Sequence, residues 1–288
     1  MNATSLDKHY ALLAARFDQE ARQYDLRFGP PSGINPGNPL VTWLRQEHLE
    51  IVRALLPQGA AVLDIGCGTG EEALALVREG YSVLGVDISA AMVRQAQTKA
   101  AAYGLRRGLV FRTMPAGKLS TLDERGPFAG AYASLGTLNS EPNLAGVAMA
   151  LHELLEPNAP FVATVMNRRC WFERWHAWKR LRPRDVLARP ATWTETRAGA
   201  SDVSAPVRFY FPDEFAQAFA PYFTVERVLA FPLLMPPVHL HELYRTRQAH
   251  FQKLEARERA WRGRRGLRNM GDHFLMVLRH VGADFSGE

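Results

Sequence analysis

The residues best suited to chemistry are Val62-Leu63-Asp64-Ile65-Gly66-Cys67-Gly68-Thr69-Gly70, an apolar run that ends in a glycine-rich turn, and Asp87, which closes the next apolar run from Tyr81 to Val86. Glycines at 66, 68 and 70 let the main chain turn sharply and let a ligand come close to backbone atoms, because no Cβ intervenes. Glu71 to Arg78 then carries a helical period and strong helix formers, so the turn opens a helix. Strand, glycine turn, helix, strand and acid, in that order, describe a nucleoside site in which Asp87 accepts hydrogen bonds from both ribose hydroxyls.

Charge separates the two cofactor classes that use this order. A dinucleotide site sets a pyrophosphate on the helix N-terminus and usually has G-x-G-x-x-G spacing. Here the third glycine position is Glu71, followed by Glu72. Carboxylates there suit the helix dipole but repel a diphosphate. S-adenosylmethionine has no phosphate, and its amino and sulfonium groups are cationic, so Asp64 and an acidic helix start are compatible with it.

Residues 62–70, with Asp87-Ile88-Ser89 and Met92, resemble motif I and the following acidic loop of class I S-adenosylmethionine-dependent methyltransferases, in the branch that acts on quinones and small metabolites. The similarity runs over roughly residues 15–165 and more faintly to 280. It implies an α/β, doubly wound, Rossmann-like fold: a seven-stranded, mostly parallel sheet whose last strand, near His273 to His280, inserts antiparallel. It also implies cofactor contacts from Asp64, Gly66, Cys67, Gly68, Gly70, Asp87, Ile88 and Met92. Met114, Pro115 and Ala116 would lie along the adenine, with Pro115 standing where the family usually has an acid. Ser134 and Leu135, at the start of Ser134-Leu135-Gly136-Thr137-Leu138-Asn139, would flank the methionine part, with Asn139 fixing the loop. The segment Phe17-Asp18-x-x-Ala21-x-x-Tyr24-Asp25 resembles the helix that closes over the cofactor, presenting Tyr24. Arg45 could clamp the cofactor carboxylate bidentately, or be a surface arginine.

These groups need a frame. The patterning predicts helices over 6–25, 39–56, 72–79, 90–103 and 144–155, and strands over 82–86, 108–112, 130–134, 161–166, 223–229 and 273–280 around the first strand. Such alternation builds a parallel sheet with helices on both faces, and ligands collect at the carboxyl ends of its strands. We expect a single domain over 1–288, with cap helices in 1–56, a cofactor-binding core in 57–166, a lid-like insertion in 167–215 and C-terminal strands with a basic helix in 216–288. The insertion carries Trp171, Trp175 and Trp178 at i, i+4 and i+7, then Arg180-Leu181-Arg182-Pro183-Arg184, Trp193 and Phe209-Tyr210-Phe211. An aromatic lid suits a flat or greasy acceptor; the same stripe could simply pack the insertion on the sheet.

The 288 residues are 47% hydrophobic, enough for a sizeable core, with no signal-peptide pattern and no apolar run long enough to cross a membrane. Cys67 and Cys170 are the only cysteines, and their spacing offers no metal site, which fits a reduced cytoplasmic protein. Net charge is +6, concentrated in residues 245–268. That segment could meet RNA, a protein or a membrane surface, or be a solvated helix face. DNA is not expected and RNA is disfavoured, because the loop after the fourth strand lacks the Asn/Asp-Pro-Pro-aromatic tetrad of base methyltransferases. Oligomeric state is not specified.

Methyl transfer from a sulfonium needs chiefly alignment, and a base only where the acceptor must first lose a proton. The candidates are His176, His239 and His241, each weak; the last two lack a third metal ligand. The expected activity is therefore S-adenosylmethionine-dependent methylation of a small, hydrophobic or aromatic metabolite. RNA or protein methylation through residues 245–268, and cofactor binding without transfer, are the alternatives.

Overall fold

The computed structural model describes residues 3–30, 37–105, 107–124, 126–179, 189–197 and 203–282. Its strands are β1 (Ala61–Ile65), β2 (Ser82–Asp87), β3 (Leu109–Thr113), β4 (Gly130–Ala133), β5 (Pro160–Met166), β6 (Thr194–Arg197), β7 (Ser204–Val207), β8 (Phe223–Phe231) and β9 (His273–His280). Seven of them form one sheet in the order β3-β2-β1-β4-β5-β9-β8. β1 to β5 pair in parallel, and β9 runs antiparallel between β5 and β8. The seven-stranded sheet with an antiparallel last strand is the expected one.

Helices cover both faces, which is why β1 and β5 read as near-continuous apolar runs rather than alternating ones. α1 (Ala3–Phe28), α2 (Pro39–Leu55), α3 (Glu71–Arg78), α4 (Ala90–Ala102) and α5 (Leu144–Leu154) precede β5's crossover. One core lies between the sheet and α2, α3 and α4, with Leu44, Val52, Leu74 and Ala96 buried in it. The other lies under α5, with Val147, Leu151, Phe161 and Phe274. Caps fix where helices begin: Asn38 Oδ1 accepts from Val41 N–H with Pro39 as the first helical residue, and Ser89 Oγ accepts from Met92 N–H, each at 3.1 Å.

β1 has β2 on one side and β4 on the other, so the topological switch falls beside the glycine turn. Because β9 is antiparallel, its first residue, His273, pairs with Met166 at the end of β5. That puts the start of β9 on the same sheet edge as the carboxyl ends of the parallel strands.

The insertion holds α6 (Trp171–Lys179), an unforeseen two-stranded β6–β7 ribbon, and α7 (Pro212–Phe219). The run Arg180 to Arg184 lies outside the described residues. The basic segment is not one helix but three short pieces, α8 (His241–Thr246), α9 (Gln248–Gln252) and α10 (Glu255–Trp261). It is also less free than its charge suggests. Glu47, buried on α2, receives Arg259 Nε at 2.8 Å and Arg262 Nη1 at 2.7 Å, so part of the positive charge docks the C-terminal helices onto α2. Among the described residues no helix is long and apolar enough to cross a membrane.

Candidate active site

A cavity of about 1030 Å³ opens at the carboxyl edge of the sheet. It is bounded by the turns after β1, β2, β3 and β4, by α1, and by the insertion. Ligand pockets run to roughly 300–1,000 Å³, so this one has room for a nucleoside-sized ligand and a second small molecule.

Most of the residues anticipated from sequence converge there. Gly66, Cys67 and Gly68 line its floor, with Asp87, Ile88 and Met92 beyond them. Met114, Pro115 and Ala116 form one wall, Ser134 and Leu135 another. Tyr24 and Arg45 close the end nearest α2, and His176, His239 and His241 face the insertion side.

Two of the anticipated residues, Asp64 and Gly70, do not line the cavity. Asp64 does not reach the cavity; it is sealed beneath the turn with Glu72, Tyr132 and Arg45 around it, and burial first, then the Glu72 charge, pushes its carboxyl well above the usual range. Gly70 does not reach it either. Its φ of +82° makes it the left-handed start of α3, and a Cβ there would stand 3.0 Å from Ala96 and Phe111, so glycine serves close packing of α3, α4 and β3. Arg45 lines the cavity, but its guanidinium is already held by Glu72 at 3.0 Å and the Phe28 carbonyl at 2.5 Å, leaving Nη2 near the Tyr24 hydroxyl at 3.5 Å. Burial would raise the Glu72 carboxyl, but Arg45, then the Ser134 hydroxyl donating at 2.9 Å, bring it below the ordinary value.

Asp87 is the focus of the nucleoside end. Its Oδ2 accepts from Gly68 N–H at 2.9 Å and its Oδ1 from Ser89 N–H at 2.8 Å. Each oxygen keeps a lone pair for a ligand. Burial pushes its pKa up to about 6 against the pull of those two amides.

Sequence reasoning missed the acid that fastens α1. Asp18 Oδ1 accepts from Ser89 Oγ at 2.5 Å and Ala91 N–H at 2.9 Å, and Thr69 Oγ1 donates to Asp25 Oδ1 at 2.6 Å, so α1 is laid across both nucleoside-side turns. Glu141 is the second omission. It accepts from Tyr10 Oη at 2.7 Å, Gly117 N–H at 2.9 Å and Asn143 N–H at 2.7 Å, joining α1 to the turns after β3 and β4, and burial raises its carboxyl. Asn139, fully buried, donates to the Met166 and Arg208 carbonyls and accepts from Met166 N–H, which fixes the loop after β4.

The tryptophan stripe is turned outward. Trp178 is 70% and Trp171 45% exposed, while the face of α6 that meets the cavity carries Glu173, His176 and Ala177. Phe172 takes the buried position instead, because it sits on the helix side facing the domain core. Behind Glu173 stands a charged cluster that no spacing announced. Arg189 binds Glu173 and Asp272, and Asp272 Oδ2 lies 2.9 Å from His273 Nδ1. Cys170 Sγ and the Glu173 and Asp272 oxygens lie within 4.8 Å of one another, but the Arg189 guanidinium supplies the positive charge between the two acids. Burial would raise Asp272; Arg189 and then His273 hold it well below the usual carboxylate range.

Residues 62–158 match the methyltransferase domain family. Among curated relatives, the ubiquinone biosynthesis O-methyltransferase of Bordetella avium (strain 197N) is 29% identical over 173 residues, 58% of this chain and 63% of that protein. Methyltransferase phqN of Penicillium fellutanum is 31% identical over 130 residues, 44% of this chain and 39% of that protein. The chain thus spans less than two thirds of the length of these relatives. A solved 1,6-didemethyltoxoflavin-N1-methyltransferase of Burkholderia thailandensis superposes with a TM-score of 0.58 at 17% identity, over 98% of this chain and 92% of that one, a likeness of fold.

Proposed function

We propose that the chain, whose residues 62–158 match the methyltransferase domain family, is a class I S-adenosylmethionine-dependent methyltransferase and transfers a methyl group from S-adenosylmethionine to a small, hydrophobic or aromatic metabolite. The observation that carries this reading is one cavity shared by the glycine turn with Asp87 at one end and by the insertion at the other. Relatives named for ubiquinone biosynthesis, and a structural neighbour named for a toxoflavin precursor, support a small acceptor.

The residues present fit that donor. Gly66 and Gly68 leave backbone uncovered at the cavity floor, and Asp87 offers two oxygens to ribose hydroxyls. Met92, Met114 and Pro115 give soft apolar surface for a purine, with the Ala116 amide beside it. Tyr24, Arg45 and Glu72 form a polar end suited to an amino acid's ammonium and carboxylate. When bound, the donor supplies an activated sulfonium methyl.

What this chain contributes is position. Alignment alone can supply about 7–11 kcal/mol of barrier lowering. α1, pinned by Asp18 and Asp25, and the Asn139-fixed loop after β4 hold opposite walls of the cavity, and the β6–β7 ribbon, tied to α1 through Arg16 and Glu195, covers the acceptor end. A covered site excludes water and strengthens the polar contacts within it. Single-domain organisation of residues 1–288 and a cytoplasmic site of action complete the reading.

Calorimetry with S-adenosylmethionine and its demethylated product tests the donor end, and labelled-methyl transfer into fractionated metabolites tests the acceptor end. Folded protein that binds neither ligand, or an Asp87→Ala variant that binds them as well as wild type, refutes the proposal.

A further inference from the structure

We infer that His273, backed by Asp272, is the base that takes a proton from the acceptor, and that the acceptor is therefore a weakly acidic hydroxyl such as a phenol or enol. This rests on the methyltransferase reading and deepens it.

The geometry comes from β9. His273 is 8% exposed and lines the cavity, opposite Met166 and beside the loop after β4. Its Nδ1 is 2.9 Å from Asp272 Oδ2, while the other Asp272 oxygen is bound by Arg189. An ionised carboxylate only accepts, so Nδ1 carries the hydrogen, and in the neutral ring Nε2 then presents a lone pair. Nε2 lies 3.4 Å from where a side chain at Gly136 would stand, and no described residue hydrogen-bonds it. The charged and titratable groups around this end are Arg189, Asp272, Glu173, His176, His239 and His241. Of His239, His241 and His273, only His273 has a carboxylate in hydrogen-bond contact with Nδ1 while its Nε2 hydrogen-bonds no described residue. His239 is 3.7 Å from Glu173 and half exposed, and His241 is occupied by Val238 O at 3.2 Å and Glu242 at 3.3 Å.

An oriented imidazole with a bare Nε2 helps only an acceptor that must lose a proton before or during attack; a neutral amine already carries its lone pair. In the step, the acceptor O–H bond breaks and its proton passes to Nε2. The oxygen's pair forms the O–CH3 bond as the donor's methyl–sulfur bond breaks with its pair left on sulfur. The imidazolium, facing Asp272, then returns the proton to solvent. The apolar wall of Phe17, Leu13, Met166, Val207, Phe209 and Val238 suits an aromatic ring bearing that hydroxyl. Asp272 acts through His273 and is a positioning residue.

The test uses 4-nitrophenol, whose ionised form is coloured, added to the full chain saturated with S-adenosylhomocysteine. At a pH where about one tenth of the free dye is ionised, more than about half of the bound dye should be ionised, because Nε2 takes its proton. In ¹⁵N-histidine-labelled wild type the His273 signals should move to the imidazolium position on dye binding. His273→Gln should lose the dye's extra ionisation while its affinity for S-adenosylhomocysteine changes less than about threefold. Asp272→Asn should move the His273 signals toward the other tautomer. The inference is overturned if the dye does not bind, if His273→Gln ionises it as wild type does, or if His273 stays neutral in the wild-type complex, a readout that stands even should the variants fail to fold. Wild type that does not bind S-adenosylhomocysteine overturns the methyltransferase reading itself, which separates the two failures.

Discussion

Asp87 should make cofactor affinity depend on pH in a way that can be worked out beforehand. Burial raises its pKa to about 6 in the free protein, and ribose hydroxyls donate best to its ionised form. A ligand that selects the carboxylate must displace the proton wherever the site is protonated. For a pKa of about 6 the protonated form is in roughly tenfold excess at pH 5 and is about one tenth as abundant as the carboxylate at pH 7, so affinity should tighten about tenfold, or about 1.4 kcal/mol, between them. The sign follows from the raised pKa: binding strengthens as pH rises through 6 and levels off above 7. Isothermal titration of S-adenosylhomocysteine at pH 5, 6 and 7, in buffers of different ionisation heat, reads both the affinity and the proton release, about half a proton near pH 6. The ligand's own amino and carboxyl groups hold their charge across this window. Asp87→Asn should bind more weakly at pH 7, by about 1.5–3 kcal/mol for lost hydrogen bonds to a charged acceptor, with no pH slope, so that the gap from wild type narrows by about 1.4 kcal/mol at pH 5. Wild-type affinity that is flat from pH 5 to 7, or a slope that survives in Asp87→Asn, refutes the reasoning.

Three further outcomes follow from the fold. His48 is buried against Tyr132, and burial, opposed by the Glu72 charge, lowers its pKa to about 4, below the unfolded value of 6.5; the stability it holds as a neutral ring above pH 6.5 is lost as pH falls toward 4, about 3 kcal/mol at the limit. Denaturation of wild type and His48→Phe over that range should show wild type losing ground to the variant, and parallel curves would contradict it. Glu47→Ala strands the buried Arg262 at the α2 interface, the half-exposed Arg259 being free to turn to water, and should cost about 3–5 kcal/mol, read as a fall in Tm on the order of 10 °C, with no change expected if the pairs were dispensable surface contacts. Gly66→Ala puts a Cβ 2.1 Å from Thr137 Cγ2 at a φ of +76°, so calorimetry should find S-adenosylhomocysteine binding lost, whereas normal binding would mean the turn tolerates a side chain.

The central strands and their helices were legible because each carries its information locally. Val62 to Ile65 and Phe161 to Met166 are apolar but for Asp64 and Thr164 since both sheet faces are covered, and Asn38, Ser89 and Asn143 cap helix starts by bonds to amides three residues on. The insertion was far less readable. Trp171, Trp175 and Trp178 have the spacing of a buried stripe, yet Trp171 and Trp178 stand exposed, because Phe172 and Ala177 take the inward face once α6 meets the cavity. The basic residues around α10 looked like a free face until Glu47, more than two hundred residues earlier in the chain, drew Arg262 inward and anchored the half-exposed Arg259.

By itself the sequence determined the fold and the donor end of the site. A glycine turn between strand and helix and an acid at the next strand end act through backbone freedom and one hydrogen-bonding side chain, within a single βαβ unit. What only the tertiary structure decided is the acceptor end. There Arg189, Asp272 and His273 meet at the cavity rim, and at the nucleoside end the tertiary structure likewise takes Asp64 and Gly70 out of the cavity lining and brings in Asp18 and Glu141 as tethers. His273 reads in sequence as an ordinary strand start. It becomes a candidate base because β9 inserts antiparallel and carries its first residue to the edge where the parallel strands end, a consequence of strand order that no local spacing encodes.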